Sequence, residues 1–157
     1  MTEQVELDSF DRKILRILQS NNLTSQREIG VAVNLSAAAV HRRIRRLHAD
    51  GVVTANCAVV SPAKVGRPIS VIIELEVKSE RPGDLEMVKQ SLAEAPEIQQ
   101  CYYVTGDVDF ILVISVVDMT EYEELTKRLF FANSNIKKFR TYVAMERVKM
   151  SLELPIA

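Results

Sequence analysis

The stretch LSAAAVHRRIRRL, Leu35 to Leu47, gathers four arginines (Arg42, Arg43, Arg45, Arg46) and His41 on one short segment, with His48 directly after it and no acid before Asp50. Its apolar residues Val40, Ile44 and Leu47 recur at i, i+4 and i+7, the spacing of one helix face. At about 3.6 residues per turn, Ala38, Arg42 and Arg45 point nearly opposite that face. Arg46 lies beside them and Arg43 sits on the flank. Ser36 is placed to cap the helix, its hydroxyl accepting from a first-turn N–H. Ala37, Ala38 and Ala39 make the first turn thin, so that it can enter a major groove with backbone N–H groups toward phosphate. A basic run can also be no more than a solvated helix face, so the neighbouring sequence has to decide.

Ahead of this segment, Gln26 to Ala32 is a short helical pattern with Ile29 and Val33 at i, i+4. Gly30 lies within it, locally unfavourable by roughly 1 kcal/mol and reasonable only where another helix approaches closely. Asn34 tolerates positive φ, which suits a tight turn between two helices. Short helix, turn, Ser cap and basic helix together make a helix-turn-helix. A third helix precedes it, with Leu7, Phe10, Ile14, Ile17 and Leu18 as its stripe and Asp8 as its cap. Asp50-Gly51 ends the basic helix, and VVTANCAVV (52–60) reads as a strand, giving a winged-helix-like module.

Charge is divided to match. Residues 1–60 carry eight Lys/Arg against six Asp/Glu, and residues 61–157 carry twelve against fifteen. The mildly acidic second part does not suit nucleic acid by itself. No run approaches the ~18 apolar residues of a membrane helix, and the polar, acidic start is unlike a signal peptide, so a cytoplasmic protein without membrane contact is expected. Cys57 and Cys101 lie in strand-like runs and read as small buried hydrophobes of a reducing compartment. No phosphate loop, spaced His/Cys metal set or nucleophile with a paired base is present, so neither catalysis nor a cofactor is expected.

SPAKVGRP, Ser61 to Pro68, has two prolines and a glycine between apolar strands and reads as a linker or hinge. It separates a DNA-binding domain (1–60) from a second domain (69–157). Beyond it come a strand at Ile69–Val77, a helix opened by Pro82-Gly83-Asp84 with Leu85, Val88 and Leu92 on one face, and a strand at Ile98–Thr105. A Gly106-Asp107 turn leads to a central strand at Phe110–Val117. Asp118 caps a helix over Met119–Phe131, and a long strand region runs from Ile136 to Met150. This β-α-β-β-α-β order is a ferredoxin-like unit in an α+β chain. Its sheet carries helices on one face, and strand 110–117 is apolar on both, so a second subunit is the economical cover for the other face.

Four pieces carry a resemblance over nearly the whole chain: LDSFDRKILRILQ (7–19), LSAAAVHRRIRRLHADGVV (35–53), SPAKVG (61–66) and CYYVTGDVDFILVISVVDMTEYEEL (101–125). The chain resembles the leucine-responsive regulator/AsnC, or feast/famine, family of transcriptional regulators. The resemblance implies a homodimer formed through the C-terminal domain, assembling further to an octamer or other higher oligomer on double-stranded DNA. It also implies a small effector, commonly an amino acid, bound between dimers near the Gly-Asp turn. Carried over by residue, the effector candidates are Tyr102, Val104, Thr105, Gly106, Asp107 and Asp109, with Lys137 and Thr141 from the facing stretch. The chemistry is reasonable: glycine lets backbone N–H groups approach a carboxylate, and Asp107 or Asp109 can pair with an α-ammonium. Read alone, GDVD is an ordinary β-turn with its acids in water.

The chain departs from the family pattern at Asn22-Leu23, where Gly-Arg is common, and at Ala38, where Ser is frequent. Phe139 stands where a small polar residue is usual, which bears on pocket size. Lys137-Lys138 could hold an acidic effector or be a solvated pair. At the DNA face, the residues expected are Ser36, Ala37 and Ala38 in the first turn, Arg42 and Arg45 in the groove with Arg46 and His41 beside them, and Arg43 on a phosphate or bracing the first helix through Asp8 or Asp11. Arg reads guanine bidentately, worth about 1–3 kcal/mol of discrimination. The alternative is a metabolite sensor or scaffold that uses only the sheet domain.

Overall fold

The structure, a computed structural model, describes residues 5–157. The described residues divide into two compact units, 5–58 with 149–157, and 59–148.

The first unit is built on α1 (Ser9–Ser20), α2 (Gln26–Val33) and α3 (Ala37–Ala49). Capping boxes open α1, through Asp8 and Asp11, and α2, through Ser25 and Glu28. Each joins a side chain to a backbone N–H in both directions and so satisfies two donors of an otherwise unpaired first turn. Ser36 caps α3 as expected, accepting from the Ala39 amide at 3.2 Å. Asn34 takes the left-handed conformation, φ 60° and ψ 48°, and the chain then doubles back so that the Leu35 amide donates to the Gly30 carbonyl at 2.9 Å. A Cβ on Gly30 would stand 2.5 Å from the Leu35 carbonyl oxygen. The glycine is therefore required by the turn's own backbone, rather than by a facing helix. α3 ends in a paired closure in which the Gly51 amide donates to His48 and the Val52 amide to Leu47, with Gly51 at φ +69°, the arrangement that ties up the last free carbonyls. Ile14, Ile29, Val33 and Val40 form the core, flanked by Ile17, Leu18, Leu35 and Ile44.

Three expectations for this unit fail. Residues 52–60 form no strand. Their β-branched composition suits one, but a lone strand has no ladder to complete, and among the described residues none pairs with it; Cys57 is exposed rather than buried. Lys149–Ala157, expected with the sheet, instead belongs to the helical unit. There the Gln19 side-chain amide exchanges two hydrogen bonds with the Leu154 backbone, at 2.8 and 3.0 Å, and Arg16 Nε donates to the Ile156 carbonyl at 2.9 Å.

The second unit begins with a wound turn at 61–67 closed by backbone bonds such as Arg67 N–H to Pro62 O at 2.8 Å. The expected hinge is thus an ordered clasp: Arg67 donates to the Ser115 carbonyl at 2.7 Å and pairs with Glu121 at 2.9 Å. β1 (Ile69–Val77), α4 (Pro82–Ala93), β2 (Ile98–Tyr103), β3 (Phe110–Val116), α5 (Met119–Thr126) and β4 (Ile136–Val143) follow. A π-helical turn, Lys127–Phe131, completes α5 where one continuous helix was expected. β4 stops at Val143, short of Met150. The sheet is antiparallel in the order β2-β3-β1-β4. Val71, Ile73 and Leu75 of β1 and Phe110, Leu112, Ile114 and Val116 of β3 form one buried core with Leu85, Val88 and Leu92 of α4 and Leu125 of α5. The alternate residues Ile72, Ile111 and Val113 lie on the other face and are only partly covered. Cys101, on edge strand β2, is exposed, again against expectation.

Candidate functional site

The four arginines of α3 separate into two pairs. Arg43 Nη1 reaches Asp8 at 2.7 Å and Asp11 at 2.8 Å, and Arg46 Nη2 reaches the other Asp11 oxygen at 2.5 Å. The Asp11 side chain is 1% exposed, so a buried carboxylate holds α3 against α1 through two guanidinium groups. Arg43 also lies over the Phe10 ring, 5.4 Å from its centroid. Arg43 therefore sits in the bracing position that its flank location allowed. Arg46 departs from the groove-facing place expected of it. It follows Arg43 by three residues, so both long side chains reach the same acid. Arg46 also lies 3.9 Å from Asp50.

Arg42 and Arg45 remain exposed, and among the described residues neither is in an ion pair. His41 is exposed too, its Nδ1 2.9 Å from the Gln26 amide nitrogen. Gln26 was not anticipated, because the contact joins residues fifteen apart on different helices. Ser36, Ala37 and Ala38 are exposed at the start of the helix. The Asp8 carboxyl is held below the ordinary carboxylate range, first by the Asp11 amide and also by Arg43.

In the sheet unit, Thr105, Gly106 and Asp107 form the exposed tip of the β2–β3 turn, with Gly106 at φ +142°. The turn is closed by the Val104 amide on the Asp109 carbonyl at 2.9 Å. The Asp109 carboxylate differs from expectation: one oxygen accepts from the Val77 amide at 2.7 Å, at the irregularity where β1 shifts register between Glu76 and Val77. It satisfies a backbone donor that the ladder leaves open. Tyr102 lies half-exposed on the face away from the helices, opposite Ile111, its hydroxyl donating to Gln100 at 3.1 Å.

Lys137 and Thr141 do not meet these residues. β2 and β4 are the two edges of the sheet, about 14 Å apart at three strand spacings. Thr141 is opposite Ile73, on the helix side, and its hydroxyl bonds Tyr122 of α5. Lys137 and Lys138 both lie 3.2 Å from Glu76 and hold its carboxyl below the usual range. Phe139 packs on Phe130 and Phe131, and these aromatics with Lys78 line a cavity beside the two lysines. The doubled KK and FF on either side of one short loop were the available signal for it.

Among the described residues, no group of His, Cys, Asp and Glu could hold a metal ion, and no helix is long and apolar enough to cross a membrane. Residues 7–54 match the model of a winged helix-turn-helix DNA-binding domain, and residues 70–154 that of the Lrp/AsnC ligand binding domain. An uncharacterised HTH-type transcriptional regulator of Sinorhizobium fredii is 42% identical over 97% of this chain and 90% of its own length. The leucine-responsive regulatory protein of Haemophilus influenzae is 34% identical over 92% of this chain and 87% of its own. Among solved structures, an AsnC family regulator from Agrobacterium tumefaciens superposes with a TM-score of 0.89 at 33% identity, covering 95% of this chain and 97% of that one. A transcriptional regulator of Neisseria meningitidis, solved as a complex with L-Met, gives 0.88 at 25% identity, covering 96% and 97%. With a helix-turn-helix module whose basic helix is braced against α1 and a sheet domain matched from its first strand nearly to its end, the chain belongs to the Lrp/AsnC family of transcriptional regulators.

Proposed function

We propose that this regulator binds duplex DNA by setting α3 in the major groove, with Arg42 and Arg45 toward the base edges, His41 beside them, and the Ser36–Ala38 turn against phosphate. The observation that carries the reading is the division of labour on α3: two arginines are engaged with Asp11, and two are left exposed and unpaired among the described residues. Arg43 and Arg46 position the helix; Arg42 and Arg45 read.

A homodimer forms through the uncovered sheet face. Ile72 and Tyr142 there are 40% and 46% exposed and, with Ile111 and Val113, make an apolar patch framed by the Glu74–Arg140 pair at 3.3 Å. Patches of this kind on a sheet mark association surfaces, and dimers assemble further into an octamer or other higher form. A small effector, an amino acid as in the L-Met complex of the Neisseria relative, binds at the turn through Tyr102, Val104, Thr105, Gly106 and Asp107. Lys137 and Thr141 stand on the far sheet edge, so they join such a site only from a second copy. An effector held between copies changes how dimers associate, and with that the spacing of recognition helices, provided that it binds one assembly better than another.

Fluorescence anisotropy on duplexes selected from random sequence, with a scrambled duplex as reference, tests the DNA reading. Arg42→Ala lowers the ratio of specific to non-specific affinity; equal ratios in wild type and variant refute the face assignment. Sedimentation velocity with and without amino acids tests the effector: no change in assembly or in DNA affinity at saturation removes that mechanism.

A further inference from the structure

Where β4 begins, the π-helical turn and the loop that follows it enclose a surface cavity of about 360 Å³, within the ~300–1,000 Å³ range of small-molecule sites. One wall is apolar. Phe131, 72% exposed, meets Phe139 edge-on at 5.6 Å, and Ile136 lies beside them. Lys78, Lys137 and Lys138 line the cavity as well.

Their charge is only partly balanced. Lys137 and Lys138 share the single carboxylate of Glu76, each at 3.2 Å and each about half exposed. Lys78 donates to the Ser134 carbonyl at 2.8 Å and is in no ion pair among the described residues. No carboxylate lines the cavity; its uncharged polar side chains are Asn133 and Ser134. The π-helical turn accounts for the apolar wall. The Ala132 amide reaches back to the Lys127 carbonyl at 3.2 Å, a ring one residue wider than an α-turn. It leaves Phe130 buried in the core and turns Phe131 outward over Phe139. Single π-turns of this type recur at functional sites.

We propose that this cavity binds a small organic anion with an aromatic or branched apolar body and no ammonium group. The anion's carboxylate takes charge-assisted hydrogen bonds from the lysines, and its body lies against Phe131 and Phe139. A zwitterionic amino acid is selected against, because its ammonium would enter a positive field with no free carboxylate to meet it. The site is built within one protomer, does not depend on DNA binding, and shares only Lys137 with the effector candidates, none of the residues at the Gly106 turn being among its lining.

Isothermal titration of the full chain at low ionic strength, with three probes of one skeleton, tests this. 3-Phenylpropanoate binds, L-phenylalanine binds about tenfold or more weakly, and phenethylamine gives no binding heat. The Lys137→Gln/Lys138→Gln double variant and Phe131→Ser each weaken 3-phenylpropanoate binding about tenfold. All three positions are exposed, so these changes leave the fold intact. Asp107→Ala, which disables an effector site at the turn, leaves the binding unchanged and so separates the two readings. Absence of heat with 3-phenylpropanoate, equal or tighter binding of L-phenylalanine, indifference to the lysine and Phe131 variants, or sensitivity to Asp107→Ala each overturns the proposal.

Discussion

Arg43→Ala should unlock α1 from α3, whereas Arg42→Ala, one residue away on the same helix, should leave the fold untouched. Arg43 makes charge-assisted bonds to Asp11, which is buried, and to Asp8, whose side chain is 48% exposed. A bond to a buried charged group contributes about 1.5–3 kcal/mol. The exposed pair contributes about 0.2–1 kcal/mol after solvent screening, and the contact with Phe10 roughly 0.5–1 kcal/mol. Losing all three costs about 3 kcal/mol, since Asp11 keeps Arg46 as a partner and is not left bare. In a domain of this size that lowers the midpoint by roughly 12–24 °C, at about 4–8 °C per kcal/mol. Arg42 is exposed and unpaired, so its removal stays within about 0.5 kcal/mol. Because the chain has two units, hydrogen exchange resolved by peptide is the suitable assay: amides of α1 and α3 lose protection in Arg43→Ala, and those of β1 and β3 do not. Arg43→Lys keeps the charge without the fork and falls between the two. Equal protection of α1 and α3 in Arg43→Ala and Arg42→Ala refutes the brace.

Three further outcomes follow from the same reasoning. Gly30→Ala places a Cβ 2.5 Å from the Leu35 carbonyl; the turn must open, and thermal melts should show a loss of about 1–3 kcal/mol. Asp109→Ala leaves the Val77 amide without the acceptor at 2.7 Å and should destabilise the sheet unit by about 1–3 kcal/mol, seen as faster exchange at Val77 before any effector is added. Asp8 has a depressed folded-state pKa, so its stabilisation is present above the unfolded carboxylate value and is lost as pH falls through the lower folded one. Acid titration of helical circular dichroism should therefore show a shallower low-pH decline in Asp8→Asn than in wild type.

Much of this architecture is legible in the chain because it is local. The α3 stripe, the Ser36 and Asp8 caps and the left-handed Asn34 need only a few residues on either side to be read. The β-α-β-β-α-β order is legible for a related reason, since Pro82-Gly83-Asp84, Gly106-Asp107 and Asp118 punctuate the chain between elements. What escaped depends on partners distant in sequence. Helix direction puts Arg46 beside Arg42, but a long side chain goes where its acid is, and Asp11 lies thirty-five positions away. The β-branched run at 52–60 has strand propensity, yet propensity supplies no neighbouring edge. The tail at 149–157 continues from β4 in sequence, but its backbone is claimed by Gln19. At the candidate effector site, the turn was identifiable from Gly106; that Lys137 stands on the opposite sheet edge followed only from the strand order.

The division of the arginines also decides how DNA affinity should depend on salt. Each phosphate neutralised steepens the plot of log affinity against log salt by about 0.9. If all four arginines of α3 gripped phosphate, the helix would contribute a slope near ~3.6 by that relation. With Arg43 and Arg46 held by Asp11, it can contribute at most about half of that. Arg43→Ala, measured at a temperature where α1 and α3 stay protected, should weaken binding without changing either the slope or the specificity ratio. Arg42→Ala should lower the ratio by roughly 1–3 kcal/mol if the guanidinium reads a base edge, or lower the slope by about 1 if it grips phosphate. Arg46 is the sensitive case, because its side chain is 47% exposed while one nitrogen touches Asp11. Release from Asp11 on DNA would give Arg46→Ala a slope change of about 1. An unchanged slope in Arg46→Ala, beside a reduced slope or ratio in Arg42→Ala, means that the brace stays closed on DNA and that the reading surface of α3 is narrower than its run of arginines implies.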